Sequence, residues 1–303
     1  MAWFILAGLF SVFAHTGATI ELAPSSMSQV WSRYSPSEER NVRHLLEMLS
    51  RGGTGRALIA RAAAKARQSG ELLNDVIRAG EGSLTDTTLI RKFHPERPED
   101  VVFETRSKVY VNRHLAWREA LLDLAHELTH YVHREPFNPY TVNFSLADFV
   151  TSTIEGKGGE VHAFVSECHV MRELFTQEFV QDSNCGKITD AKGAFSVSRA
   201  VELFYHLGGF YPQMKKIVDE RGIASHFPHL KEEKTKFVSS AYGLPYPLAA
   251  VEEYRTVLSK VCENDRRRLG FMEKGEKVPG RSPASVEKFR LSVEQRCQTV
   301  SQN

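Results

Sequence analysis

Long apolar runs are scarce in this 303-residue chain. Past residue 18, no stretch is hydrophobic for the roughly 20 positions that a membrane helix needs. Cysteine is sparse as well: the four are Cys168, Cys185, Cys262 and Cys297, and no two stand at C-x-x-C spacing, which argues against a cysteine-built metal site. An excess of one charge is missing too. With 39 Lys and Arg against 37 Asp and Glu, well mixed, the chain has no electrostatic footprint for nucleic acid. Basic clusters such as Arg266-Arg267-Arg268 read as solvated surface. No internal repeat is present, and the glycine cluster Arg51-Gly52-Gly53-Thr54-Gly55 lacks the following Lys-Ser/Thr of a phosphate loop. It reads as a flexible turn between helical stretches.

The one concentrated apolar stretch lies at the start. Ala2 to Phe10 and the residues through Ala14 are too few to span a bilayer comfortably, and Val12-Phe13-Ala14 and Thr16-Gly17-Ala18 are both acceptable small-residue cleavage patterns. A secretory signal peptide over 1–18 is therefore expected, with a periplasmic or extracellular destination. Its leading segment carries no Lys or Arg, so an uncleaved anchor is the alternative; otherwise no stable membrane insertion is expected. An even number of cysteines suits an oxidising compartment. Three pairings are possible, and sequence proximity favours Cys168 with Cys185 and Cys262 with Cys297.

The chemistry is concentrated in His126-Glu127-Leu128-Thr129-His130, within LLDLAHELTHYVH. Residues four apart on a helix differ by only about 40° around the axis, so both imidazoles can reach one tetrahedral metal ion. Glu127 then sits beside the ion, placed to take a proton from water that the ion polarises. The surrounding pattern supports a helix: Trp117, Leu121, Leu124, Ala125, Leu128, Tyr131 and Val132 recur at helical spacing, and Glu119, Asp123, His126, His130 and His133 form another stripe. Pro136 ends it, since proline cannot donate to the helical ladder.

A hydrolytic metal site needs a third protein ligand and an open position. Glu155 and Glu160 both qualify. Gly156, Gly158 and Gly159 make poor helix around Glu155, whereas Glu160 begins a run of helical periodicity through Val161, Phe164, Val165, Cys168 and Met171, where its charge also suits the helix dipole. Glu160 is the favoured ligand.

With these residues the chain resembles the gluzincins, zincin metallopeptidases whose HExxH helix is completed by a Glu on a later helix, often E-x-x-A and here Glu160-Val161-His162-Ala163. The resemblance spans Val101 to Phe175. It implies one zinc ion on His126, His130 and Glu160, Glu127 as general base, and a two-part zincin-like architecture acting on a peptide or protein substrate. Peptides of the cell wall would be cleaved by the same mechanism, and a non-catalytic zincin relative used for binding is the competing class.

The chain departs from the family in one respect. Several gluzincins carry an Asp four residues past the ligand Glu to orient a zinc-binding imidazole, and this chain has Phe164 there. Asp123, Glu119 and Glu167 are the candidates to replace it. The glycine and third His of metzincins are absent after His130, so His133 reads as a surface or supporting residue. In zincins the C-terminal subdomain often offers a Tyr, His or Arg to the developing oxyanion; Tyr205, His206, His226, His229, Tyr242 and Tyr246 are the candidates.

The expected fold is α+β and mostly helical, a zincin-like core with a small β-sheet, an active-site helix and a helical C-terminal subdomain. Val101 to Thr105 and Lys108 to Asn112 read as a hairpin turning at Arg106-Ser107, with another strand over Leu84 to Phe93. Phe195 to Val218 and Ala249 to Arg268 read as helices, and Met272 to Ser285 as a linker before a short terminal helix. The expected regions are a signal segment at 1–18, N-terminal helices over 19–83, the core over 84–180, the helical subdomain over 181–270, and linker plus terminal helix over 271–303.

Overall fold

The computed structural model describes residues 28–94, 96–135, 137–141, 144–179, 184–274 and 283–301. The expected signal segment lies outside these residues. Among the described residues no helix is long and apolar enough to cross a membrane.

Two N-terminal helices, α1 (Glu38–Leu49) and α2 (Gly53–Gln68), bury Val42, Leu45, Leu49, Leu58 and Ala62. Ser37 caps α1 by accepting from the Arg40 amide at 3.3 Å, and Glu38 and Glu39 in the first turn suit its dipole. The turn between the helices is tighter than the sequence pattern suggests, because Gly53 and Gly55 already belong to α2. Gly55 is needed there: a Cβ on it would lie 2.0 Å from the Leu49 carbonyl oxygen.

Strands β1 (Ile77–Gly80), β2 (Leu84–His94) and β3 (Arg97–Asn112) form one sheet in the order β1-β3-β2. β1 runs parallel to β3, and β2 pairs antiparallel with β3 as an edge strand. The expected hairpin at Arg106-Ser107 is absent; both residues continue β3, and the reversal falls between His94 and Arg97. The physical reason is that neither Arg nor Ser favours the positive φ of a tight two-residue turn, and both sit comfortably in extended backbone. Val109 and Val111 are fully buried against the next helix, and Thr85 pairs with Val109, so Thr85 shares this inner face.

Helix α3 (Trp117–His133) crosses the inner face and ends before Pro136, as its sequence pattern predicts. After it come α4 (Leu146–Glu155) and α5 (Glu160–Leu174), separated by the glycines at 156, 158 and 159. One apolar core joins Trp31, the N-terminal helices, the inner face of the sheet, and α3 to α5.

The C-terminal part is helical, with different boundaries from those expected. Phe195 to Val218 is broken into α6 (Val197–Phe204) and α7 (Tyr211–Glu220), because Gly208 adopts φ +53° between them and Pro212 can only open a helix. Helix α8 (Tyr246–Lys274) runs past the expected end, and α9 (Pro283–Ser301) is not short; residues 275–282 of the expected linker lie outside the described ones. Both favoured disulfides are present, Cys168–Cys185 and Cys262–Cys297. The second bolts α8 to α9.

Candidate metal centre

One helical turn separates His126 from His130 on α3, and their ring centroids lie 4.8 Å apart at 75°. Glu160, in the first turn of α5, faces both: its Oε2 is 3.2 Å from His126 Nε2 and 3.6 Å from His130 Nε2. One ligand atom from each of the three residues lies within 4.8 Å of the others, so the group could hold a metal ion.

The far side of each imidazole is also engaged. His130 Nδ1 lies 2.8 Å from the Gly158 carbonyl oxygen, which can only accept, so Nδ1 carries the proton and Nε2 of the neutral ring keeps its lone pair. His126 Nδ1 is 3.4 Å from Glu167 Oε2. Of the three carboxylates considered for this role, Glu167 is the one in contact; Glu119 pairs with Arg118 instead, at 2.9 Å. Phe164, at the position where several gluzincins have Asp, packs on Phe204 and Phe237.

Gly158 explains why the glycines follow α4. It adopts φ +74°, and a Cβ there would stand 2.3 Å from the Arg134 backbone nitrogen, so only glycine lets its carbonyl reach His130. Glu155 is the last residue of α4, accepts from the Tyr205 hydroxyl at 2.5 Å, and takes no part in the cluster.

The electrostatics of the cluster favour positive charge. Burial works against a charged His126, yet hydrogen bonds to Glu160 and Glu167 raise its pKa well above the usual imidazole range. Burial likewise opposes the Glu160 carboxylate, but in the metal-free cluster the charge of a protonated His130 beside it, and hydrogen bonds from the protonated rings, hold its pKa below the ordinary value. A metal cation would satisfy the same fields, and two neutral imidazoles plus one carboxylate is a suitable donor set.

Glu127 lies beside this group, 7% exposed. The Thr85 hydroxyl reaches both its Oε2 and its backbone carbonyl, each at 2.8 Å, so one proton is shared between two acceptors. Asp123, one turn earlier on α3, is pushed up to about 6, first by burial, with Glu167 and Glu127 adding and a hydrogen bond to Ser83 opposing.

Of the candidates from the C-terminal part, Tyr246 reaches the cluster. It opens α8, its ring packs 5.1 Å from Phe204, and its hydroxyl is close enough to Glu160 for that charge to act on it. Burial, then Glu160 and Glu127, raise its pKa, so the phenol stays protonated. The flanking Pro245 and Pro247 set the helix start, with the Ala249 amide donating to the Pro245 carbonyl at 3.0 Å. The others lie elsewhere. His206 is buried near Glu233, His229 packs on Tyr205, His226 lines a surface hollow with Asp148 and Arg221, and Tyr242 is exposed. His133 faces Arg61 and His162, and burial with these positive neighbours lowers its pKa to about 4.

Two contributors were not legible in the sequence. Thr85 carries no signal beyond its place in a β-prone alternation, and Gly158 acts through its backbone. Compared with known proteins, the chain matches no family model, no curated protein and no solved structure.

Proposed function

We propose that the protein is an exported zinc-dependent peptidase of the gluzincin type, hydrolysing amide bonds in peptides or proteins. The observation that carries this reading is the convergence of His126 Nε2, His130 Nε2 and a Glu160 oxygen within 4.8 Å, beside a buried Glu127 that takes no part in that triad. When bound, a zinc ion supplies Lewis acidity, polarising the scissile carbonyl and lowering the pKa of water.

The chain's own residues supply the rest. Glu127, steadied by Thr85, accepts a proton from the attacking water and returns it to the leaving amine. Tyr246, protonated throughout the working range, offers its hydroxyl to the carbonyl oxygen as negative charge develops there. Edge strand β2, which runs from beside Glu127, suits an extended peptide, since an edge offers unpaired backbone groups. The two disulfides agree with an oxidising compartment.

The test combines elemental analysis of the purified chain with a peptide-library digest, with and without chelator. One zinc per chain and chelator-sensitive cleavage are expected, with Glu127→Gln keeping the metal and losing at least about 10³ in turnover. Wild-type protein that holds no metal overturns the proposal. Undiminished cleavage by Glu127→Gln overturns the assigned base, and a metal-loaded wild type that cleaves nothing leaves a binding protein.

A further inference from the structure

The inner face of β2 continues beyond the metal triad. Thr85, Thr87 and Leu89 alternate along it and look across at α8, and between them lies a cavity of about 310 Å³. Its apolar lining comes from Leu89, Phe137, Tyr140, Phe149, Val257 and Val261.

The floor of this cavity is held in place. The Arg91 guanidinium sits 3.9 Å from the Tyr140 ring centroid, Asn264 donates to the Tyr140 hydroxyl at 3.3 Å, and Arg296 donates to its carbonyl at 3.0 Å. Arg91 and Arg296 both bind the fully buried Asp265, which ties β2, α8 and α9 together. A floor anchored on three elements does not collapse inward, so the cavity is preformed.

It also borders the candidate centre. Thr85 lines it and holds Glu127 at 2.8 Å; Arg134 lines it one turn after His130, its amide donating to the His130 carbonyl at 2.9 Å. Glu253 lines it as well and lies close enough to Glu160 and His130 for their charges to act on its carboxyl. The charged lining is balanced, Arg134 and Lys260 against Glu135 and Glu253, so it attracts neither sign of charge. A charged side chain over the aromatic floor would give up hydration, and the lining offers no net charge to offset that loss.

We infer that this cavity receives one bulky apolar side chain of the peptide, Phe, Tyr, Leu or Met, from a residue flanking the cleaved bond. The inference rests on the peptidase reading and names its substrate class. At about 310 Å³ the cavity is large enough to take such a group whole.

The experiment is a peptide-library digest by the wild-type protein, Val257→Trp and Val257→Ala. For the wild type, one position next to the cleaved bond should favour Phe, Tyr, Leu or Met over Ala and Gly by on the order of 10²-fold. Val257→Trp, filling the cavity, should cut that ratio at least tenfold; Val257→Ala, a change at a partly buried helix position, should shift the optimum toward larger rings. Binding to Glu127→Gln of fluorescent peptides carrying Phe or Ala at that position provides a readout without turnover, and the Phe peptide should bind at least tenfold tighter. Cleavage with no apolar enrichment, or with a profile that neither Val257 variant changes, overturns this inference and leaves the peptidase reading standing. Absence of any cleavage by the metal-loaded wild type overturns both.

Discussion

Glu167 meets His126 from two helical turns beyond Glu160, its Oε2 lying 3.4 Å from the ring's Nδ1. Its carboxylate orients the imidazole and favours the proton on Nδ1, so that Nε2 stays turned to Glu160. Glu167→Gln keeps the shape of the side chain and removes its charge. Zinc affinity should then weaken by about 10- to 100-fold, read by competition with a chromophoric chelator, with the helical circular dichroism unchanged. An affinity within twofold of wild type would show that Glu167 does not perform this role.

Tyr246 lies beside Glu160, and burial together with the charges of Glu160 and Glu127 raises the pKa of its phenol, so the hydroxyl stays a donor. In Tyr246→Phe the ring packing against Phe204 is retained while the donor is lost. A fall in kcat of about 10² to 10³ is expected with metal content unchanged, in line with the loss of one oxyanion donor. Steady-state kinetics at saturating peptide checks this, and a kcat near wild type would remove Tyr246 from the reaction.

What could be read in advance follows the range of the interactions involved. His126, Glu127 and His130 share one helix, so local periodicity was enough to align them, and Glu160 was separable from Glu155 because three glycines break the chain between them. The disulfide pairs followed from proximity in sequence. Thr85 could not be found in this way: its contact with Glu127 depends on which face of β2 packs on α3, a matter of register between strands. The misplaced hairpin has a similar origin, because a strand as long as β3 contains an internal polar pair that resembles a turn until its partner strand is known. Tyr246 was one candidate among six, and only the tertiary packing of α8 distinguishes it.

Asp123 gives the metal-free protein a pH dependence whose sign can be worked out. Its pKa rises from 3.8 to about 6 on folding, mainly through burial, so between these values the folded state holds a proton that the unfolded chain has released. Stability is therefore greatest below the lower value and falls as pH rises through the upper one, by about 1–3 kcal/mol in total. Asp123→Asn, neutral at every pH, should stabilise the chelated protein by this amount at pH 8 and have little effect at pH 4. Urea unfolding at the two pH values makes the comparison, and an equal effect at both would contradict the assignment.

The Thr85 hydroxyl has one proton and two acceptors on Glu127, so it links the base to the edge strand without neutralising it. Thr85→Val preserves the shape and the β propensity and removes the donor, leaving a buried carboxylate without this partner. The base should then sample unproductive orientations: kcat is expected to fall about tenfold while metal affinity stays constant, because the Thr85 hydroxyl bonds Glu127 rather than the three ligand side chains. Thr85→Ser restores the hydroxyl and should recover most of the loss, which a role confined to strand packing would not predict. Equal rates for the Val and Ser variants would therefore separate Thr85 from Glu127 as far as turnover is concerned.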